Sequence, residues 1–255
     1  MPAVYLNASQ VRRVNLEGPA LKVICRNQSE QYFPLTRISR VVSIGPVTWS
    51  SAALMECLRW RVPITWLDRG GRLVGMCIGA WAQESKFNAL LDAFFTLEDG
   101  PQRLKDWFHG SGRKRLLVLL KKHGLRLPDL RMPMVREYLT LELKRRQIAV
   151  EPTLFRRLYP LTLAHTAEIL TAYQVQPAIL EPSHEWRGLT AYLAGLLEWE
   201  WWELALSKRL ETSHVLDERA VVACYERHAE LIKSQAQYWV GRLWHWLEQS
   251  EAYSA

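Results

Sequence analysis

Cysteine is scarce in this chain. Its four cysteines, Cys25, Cys57, Cys77 and Cys224, are widely separated and form no CxxC pair. That spacing argues against a zinc ribbon or a disulfide scaffold and leaves buried free thiols as the expected state. No apolar run approaches the ~20 residues that a spanning helix needs, and no charged-then-apolar leader opens the chain. A cytoplasmic protein outside the membrane is therefore expected. HExxH, GxSxG, a Walker-type glycine loop and a Ser-His-Asp order are all missing, so common hydrolase and nucleotide-binding chemistries find no footing. Internal repeats and low-complexity segments are also missing.

What is present divides by periodicity. Ala3 to Leu6, Val11 to Leu16, Ala20 to Cys25, Gln31 to Pro34 and Val41 to Gly45 are runs of strand length, several rich in Val and Ile, parted by Asn, Ser, Gly and Pro. They predict a small, mostly antiparallel sheet. Thr48 or Ser50 can cap a short helix carrying Leu54 and Leu58 one turn apart. Pro63 returns the chain to the sheet, and Asp68-Arg69-Gly70-Gly71 reverses it into a last strand from Arg72 to Ile78.

A boundary falls at about residues 79 to 85, near Trp81, after which the spacing is helical. Phe87, Leu90, Leu91, Phe94 and Phe95 share one stripe that stops at Glu98-Asp99-Gly100-Pro101. Leu116 to Leu120, Met134 to Leu143, Leu161 to Tyr173, Leu189 to Leu210 and Ala220 to Leu247 predict further helices, punctuated by Pro128, Pro152, Pro177 and Pro182. The fold class expected is α+β, with a β module over residues 1–80 and an all-helical domain over 85–255. With 49% hydrophobic residues in 255, both parts can bury a core. Ile232, Trp239, Leu243 and Trp246 lie on one helical face, with Trp199 and Trp202 adding bulk at the same spacing. Such a stripe reads as core or dimer interface.

Charge points to a partner. Between Arg103 and Arg157 stand fifteen Lys and Arg against five Asp and Glu, a local net of +10 in a chain whose total is +7. The excess gathers in Arg113-Lys114-Arg115, Lys121-Lys122, Lys144-Arg145-Arg146 and Arg156-Arg157. Clustered cations are rewarded by phosphate backbones through counterion release, so these residues are the candidate DNA contacts. The same runs also suit solvated helix faces. A membrane surface fits them less well, because no exposed apolar face accompanies them in the sequence.

The order of the first eighty residues resembles the N-terminal module of the CRISPR adaptation integrases, the Cas-one family. Pro34-Leu35 and Ile38-Ser39-Arg40-Val41-Val42-Ser43-Ile44-Gly45 correspond to its central strand signature. Val62 to Gly75, with Thr65-Trp66-Leu67-Asp68 ahead of the glycine turn, corresponds to its closing one. The resemblance implies double-stranded DNA as partner, spacer acquisition in antiviral defence as process, a homodimer formed through the β module, and a small Cas-two-type subunit as a further partner. It also implies Mg or Mn held in the helical domain by a Glu, a His and an Asp for DNA cleavage and strand joining.

Within that resemblance, Pro177-Ala178-Ile179-Leu180-Glu181-Pro182-Ser183-His184 and the run from Arg187 to Glu198 align with the family's histidine loop and its Ser-Leu-Ala-x-Asp-Leu-x-Glu helix. His184 takes the histidine position, with Ser183 one residue away. Glu198 takes the closing acid, and the aspartate position falls on Gly195, which has no side chain to bind a metal. Glu137 and Glu142 are the nearest candidates for the glutamate.

Read without the resemblance, His184 is a capping or exposed histidine, and Glu198, Glu200 and Glu203 form a solvated acidic face. Glu137 and Glu142 belong to i,i+3 ion pairs, and His165 and Glu168 merely share a helical face. Two readings follow: a DNA-holding, architectural protein with a decayed metal site, or an active endonuclease and integrase using Glu185, Glu198 or Glu200 in place of the aspartate. An RNA-binding protein unrelated to adaptation is the third, should the strand resemblance be accidental.

Overall fold

A computed structural model describes residues 2–79, 85–127, 129–180, 188–210 and 217–252. The chain divides into two units: Met1–Leu91 with Leu163–Thr190, and Asp92–Thr162 with Ala191–Ala255. The first unit thus takes in helical residues far along the chain as well as the strands. The α+β class expected from the sequence is the class observed.

Eight strands form two sheets in the first unit. β1 (Ala3–Asn7), β5 (Arg40–Ile44), β7 (Ile64–Leu67) and β8 (Leu73–Cys77) make one, in that order; β4 (Gln31–Pro34), β3 (Ala20–Cys25), β2 (Val11–Glu17) and β6 (Thr48–Trp49) make the other. The expectation of one mostly antiparallel sheet is corrected here. β1 pairs parallel with β5, and β5 parallel with β7; the antiparallel pairs are β7 with β8, β2 with β3 and β3 with β4. Pattern within a strand does not say which strand lies beside it. β2, β3 and β4 of the second sheet intervene between β1 and β5, and a long connection of this kind permits parallel pairing. β5 is buried on both faces, from Arg40 through Ser43, so its burial shows no alternation.

Between β6 and β7 runs α1 (Ser51–Arg59), whose N-cap is Ser50: its hydroxyl accepts from the Ala53 amide at 3.2 Å. One core joins Val4, Val14, Leu21, Val41 and Ile64 of the two sheets with Ala53 and Cys57 of α1. Burial pushes the Cys57 thiol up to about 12. Cys224 is buried as well, whereas Cys25 and Cys77 are half-buried; all four are free. At the β7–β8 turn the Asp68 carboxylate accepts from the Arg72 amide and its Nε, both at 2.8 Å. Gly71 there takes φ +79, a conformation that a side chain would strain.

The helices are α2 (Lys86–Thr96), α3 (Gly100–Lys122), α4 (Met132–Arg145), α5 (Thr153–Ala172), a short α6 (Pro177–Leu180), α7 (Leu189–Leu206) and α8 (Glu218–Ala252). α3 far exceeds the Leu116–Leu120 run because its first half is polar. α5 starts eight residues before the expected Leu161 and carries Pro160 inside it. In the second unit the aromatic stripe is core: Trp199, Trp202 and Trp239 are buried, Phe155 stacks on Trp202, and Trp107 meets both Trp239 and Trp246.

In the first unit the late segment of α5 is tied to the parallel sheet by charge. Arg40 of β5, its side chain 5% exposed, donates to Glu168 at 2.6 Å and to the Tyr5 hydroxyl at 3.1 Å; Ser39 also donates to Glu168. The carboxylate of Glu168 is therefore a structural partner of a buried guanidinium. Removing one member of such a pair strands the other charge in a dry site. Glu168→Ala should lower unfolding free energy by about 3 kcal/mol, read from the urea midpoint; a change below about 0.5 kcal/mol, typical of surface substitutions, would show that the pair is not structural.

Candidate nucleic-acid interface and the acid face of helix α7

From Ala191 onward α7 is apolar almost all round, with Leu193, Leu196, Leu197, Trp199, Trp201 and Trp202 buried. A helix of this kind lies in the middle of its unit. Glu198, Glu200 and Glu203 interrupt it, and each meets a cation. Glu198 accepts from Arg136 of α4, Nε at 2.8 Å and Nη2 at 2.6 Å. Glu200 accepts from Arg115 of α3, Nε at 2.8 Å and Nη2 at 2.9 Å. Glu203 accepts from Lys122 Nζ at 2.7 Å, with His123 Nε2 at 3.3 Å.

The solvated acidic face expected of these three residues is corrected: their side chains are 16%, 6% and 14% exposed. Carboxylates placed among tryptophans and leucines need a charged partner to remain ionised, and a guanidinium meets both oxygens at once. The bond to Glu198 holds the Arg136 guanidinium above its ordinary range, and that to Glu200 does the same for Arg115. Burial alone would push the Glu203 carboxyl up, but Lys122 and His123 carry it below its ordinary value. On α4, Glu142 is also held low, by Arg145 first and then, against burial, by Arg146. The pair with Arg145 is the i,i+3 pair expected for it, and Arg146 adds an i,i+4 pair. Arg146 donates in addition to the His123 carbonyl at 2.9 Å.

The ten candidate DNA contacts thus fall into groups. Arg115, Lys122, Arg145 and Arg146 are engaged with Glu200, Glu203 and Glu142. Arg113, Lys114, Lys121, Lys144 and Arg156 are exposed and, among the described residues, make no ion pair; Arg157 is exposed as well. On α3 the free cations flank two exposed aliphatic residues, Leu117 and Val118, on one stripe.

Of the metal candidates, His184 and the substitute Glu185 lie outside the described residues. Glu137 is exposed on α4 and is not brought to Glu198, which its neighbour Arg136 holds. A Cβ built on Gly195 would meet nothing within 4 Å. Among the described residues no three His, Cys, Asp or Glu side chains are grouped to hold a metal ion, and no helix is long and apolar enough to cross a membrane. Among the described residues the acids of α7 therefore leave a divalent cation no free carboxylate, since Glu198, Glu200 and Glu203 each face a cation of α3 or α4. Sequence reasoning missed Arg136 and the pairing role of Arg115. The available signal was the presence of acids in so apolar a helix, which calls for cations from elsewhere.

A search of curated proteins finds no match. The family model for CRISPR associated protein Cas1 matches residues 5–105. Among solved structures, TM1797, a CAS1 protein from Thermotoga maritima, is similar at a TM-score of 0.73 and 15% identity, with 96% of this chain and 97% of that one covered. A casposase bound to integration product is similar at 0.64 and 12% identity, covering 98% and 91%. A TtCas1–DNA complex is similar at 0.59 and 11% identity, covering 92% and 89%. The architecture is that of the Cas1 and casposase proteins. The matched segment spans the strand module, and the likeness in architecture extends over the rest of the chain.

A carboxyl held below its ordinary value stabilises the fold at every pH above that value and surrenders this as the pH falls through the lowered one. Glu203 and Glu142 both behave so. The melting temperature should be level from neutrality down to about pH 5 and decline below about pH 4.3, the ordinary glutamate value. Glu203→Gln should start lower and lose less over the acid range. An acid decline as steep in Glu203→Gln as in the wild type would assign it to other groups.

Proposed function

We propose that this protein is a Cas1-family member that holds double-stranded DNA during CRISPR spacer acquisition as an architectural subunit whose metal site has decayed. One observation carries the reading: the second unit spends Arg115, Arg136, Arg145 and Arg146 on its own carboxylates, yet leaves Arg113, Lys114, Lys121, Lys144 and Arg156 exposed without an ion pair among the described residues. Cations that the fold does not use are available to phosphates. It is supported by the similar Cas1 solved with DNA and the casposase solved with its integration product. The alternative, an active Mg- or Mn-dependent endonuclease and integrase with substitute ligands, gains nothing from Glu198 or Glu200, since each faces an arginine.

The test is duplex binding against salt. Affinity should be measurable at low salt and fall steeply as salt rises. Arg113→Glu, Lys114→Glu and Lys121→Glu together should flatten the log–log slope by about 2 to 3, close to 0.9 per lost phosphate contact. Arg115 is left in place because reversing it would set two anions together in the core. Binding unchanged in the triple variant would remove the patch, and metal-dependent cleavage that His184→Ala abolishes would overturn the architectural reading.

The β module is the proposed dimerisation surface, and a small Cas-two-type subunit the proposed further partner. β8 ends the first sheet with Val74 exposed, an edge that a second copy can cover. Light scattering should give twice the 29.7 kDa chain mass. A monomer at concentrations on the order of tens of micromolar, where even weak dimers associate, would count against this part of the reading.

A further inference from the structure

We propose that Arg136 is the resident cation of α7: its guanidinium, bound to both oxygens of Glu198, stands where a divalent ion would have to sit and closes this face of the helix to metal. The inference rests on the Cas-one resemblance, which places the family's aspartate position at Gly195.

Three observations lead to it. First, both Glu198 oxygens are taken, at 2.8 and 2.6 Å, by one guanidinium. A fixed positive charge at that distance opposes a dication by direct repulsion as well as by competing for the same lone pairs. Second, the carboxylate is sheltered, its side chain 16% exposed. Magnesium gives up its waters reluctantly and keeps several of them when bound, so a sheltered, already neutralised carboxylate suits a guanidinium and not a hydrated ion. Third, space is not what is lacking. Gly195 precedes Glu198 by three residues, on the same side of the helix, and a Cβ there has nothing within 4 Å. An aspartate would fit sterically, but it would join a face whose charge Arg136 has already balanced.

Arg115 on Glu200 repeats the arrangement more deeply, at 2.8 and 2.9 Å with both side chains sheltered. Together the two arginines fasten α7 to α4 and α3 with charges that cannot dissociate. Restoring the family's aspartate should therefore not restore a cation site unless the guanidinium leaves too.

The experiment follows free Mn²⁺ by electron paramagnetic resonance, with no DNA present, so its outcome is independent of the DNA-binding reading. Wild type and Gly195→Asp should leave the free-ion signal unchanged. Gly195→Asp combined with Arg136→Met should bind Mn²⁺ at least about tenfold more tightly than Gly195→Asp alone, a 1.4 kcal/mol difference. Gly195→Asp with Arg136→Gln, which keeps a hydrogen-bond donor without the charge, should behave the same way and serves if the methionine variant does not fold. Gly195→Asp with Arg136→Lys should stay closed. Circular dichroism melts confirm that each variant is folded. The proposal is overturned by wild-type Mn²⁺ binding that Glu198→Gln removes, by Gly195→Asp binding as tightly as the double variants, or by folded double variants that bind no more than Gly195→Asp.

Discussion

An ionised carboxylate cannot remain among tryptophan and leucine side chains without a partner, and the second unit is arranged around that demand. α7 supplies the central apolar surface and three acids with it. α3 and α4 are long and rich in arginine and lysine, and their cations answer those acids one by one: Arg115 to Glu200, Arg136 to Glu198, Lys122 to Glu203. Such pairs contribute little net stability compared with apolar replacements of the same shape, but breaking one is costly, so they select one arrangement of the helices over its neighbours. The position and register of α7 relative to α3 and α4 depend on them.

This arrangement separates the unit's positive charge into two kinds. Some cations are consumed internally and hold helices, so they contribute nothing to an approaching polyanion. Others stand exposed without an internal counter-charge and provide its external field. A run such as Arg113-Lys114-Arg115 contains both kinds in consecutive residues, because successive side chains on a helix point about 100° apart. Net charge along the sequence therefore overstates the patch that a nucleic acid would meet. The location of that patch on α3, α4 and the start of α5 is unaffected.

The strands of the first unit were legible because β-branched runs bounded by Gly, Pro and Asn have few alternatives. Ser50 as a cap followed from the chemistry of the helix start. The parallel pairing of β1, β5 and β7 was not legible, since β5 packs on both faces and shows no alternation to reveal its neighbours. α3 was foreseen only at its apolar end, and α5 only after Pro160, because proline marks a helix boundary more often than it lies inside one. At the candidate site, the basic segment and the odd glycine at 195 were visible from residue order and resemblance. The fates of Glu198 and Glu200 were not, as their partners stand 62 and 85 residues earlier in the chain.

The discontinuous make-up of the first unit sets a schedule for synthesis. Arg40 enters β5 with the first forty residues made, yet Glu168 follows 128 residues later. At ribosomal rates of 5–20 residues per second, roughly 6 to 26 seconds pass between the two. During that interval the nascent strand module has a guanidinium directed at its interior with its carboxylate not yet made. The strands themselves are all made by Cys77, but the ion pair that ties α5 to them forms only after most of the intervening helical chain has emerged, so the first unit begins early and closes late.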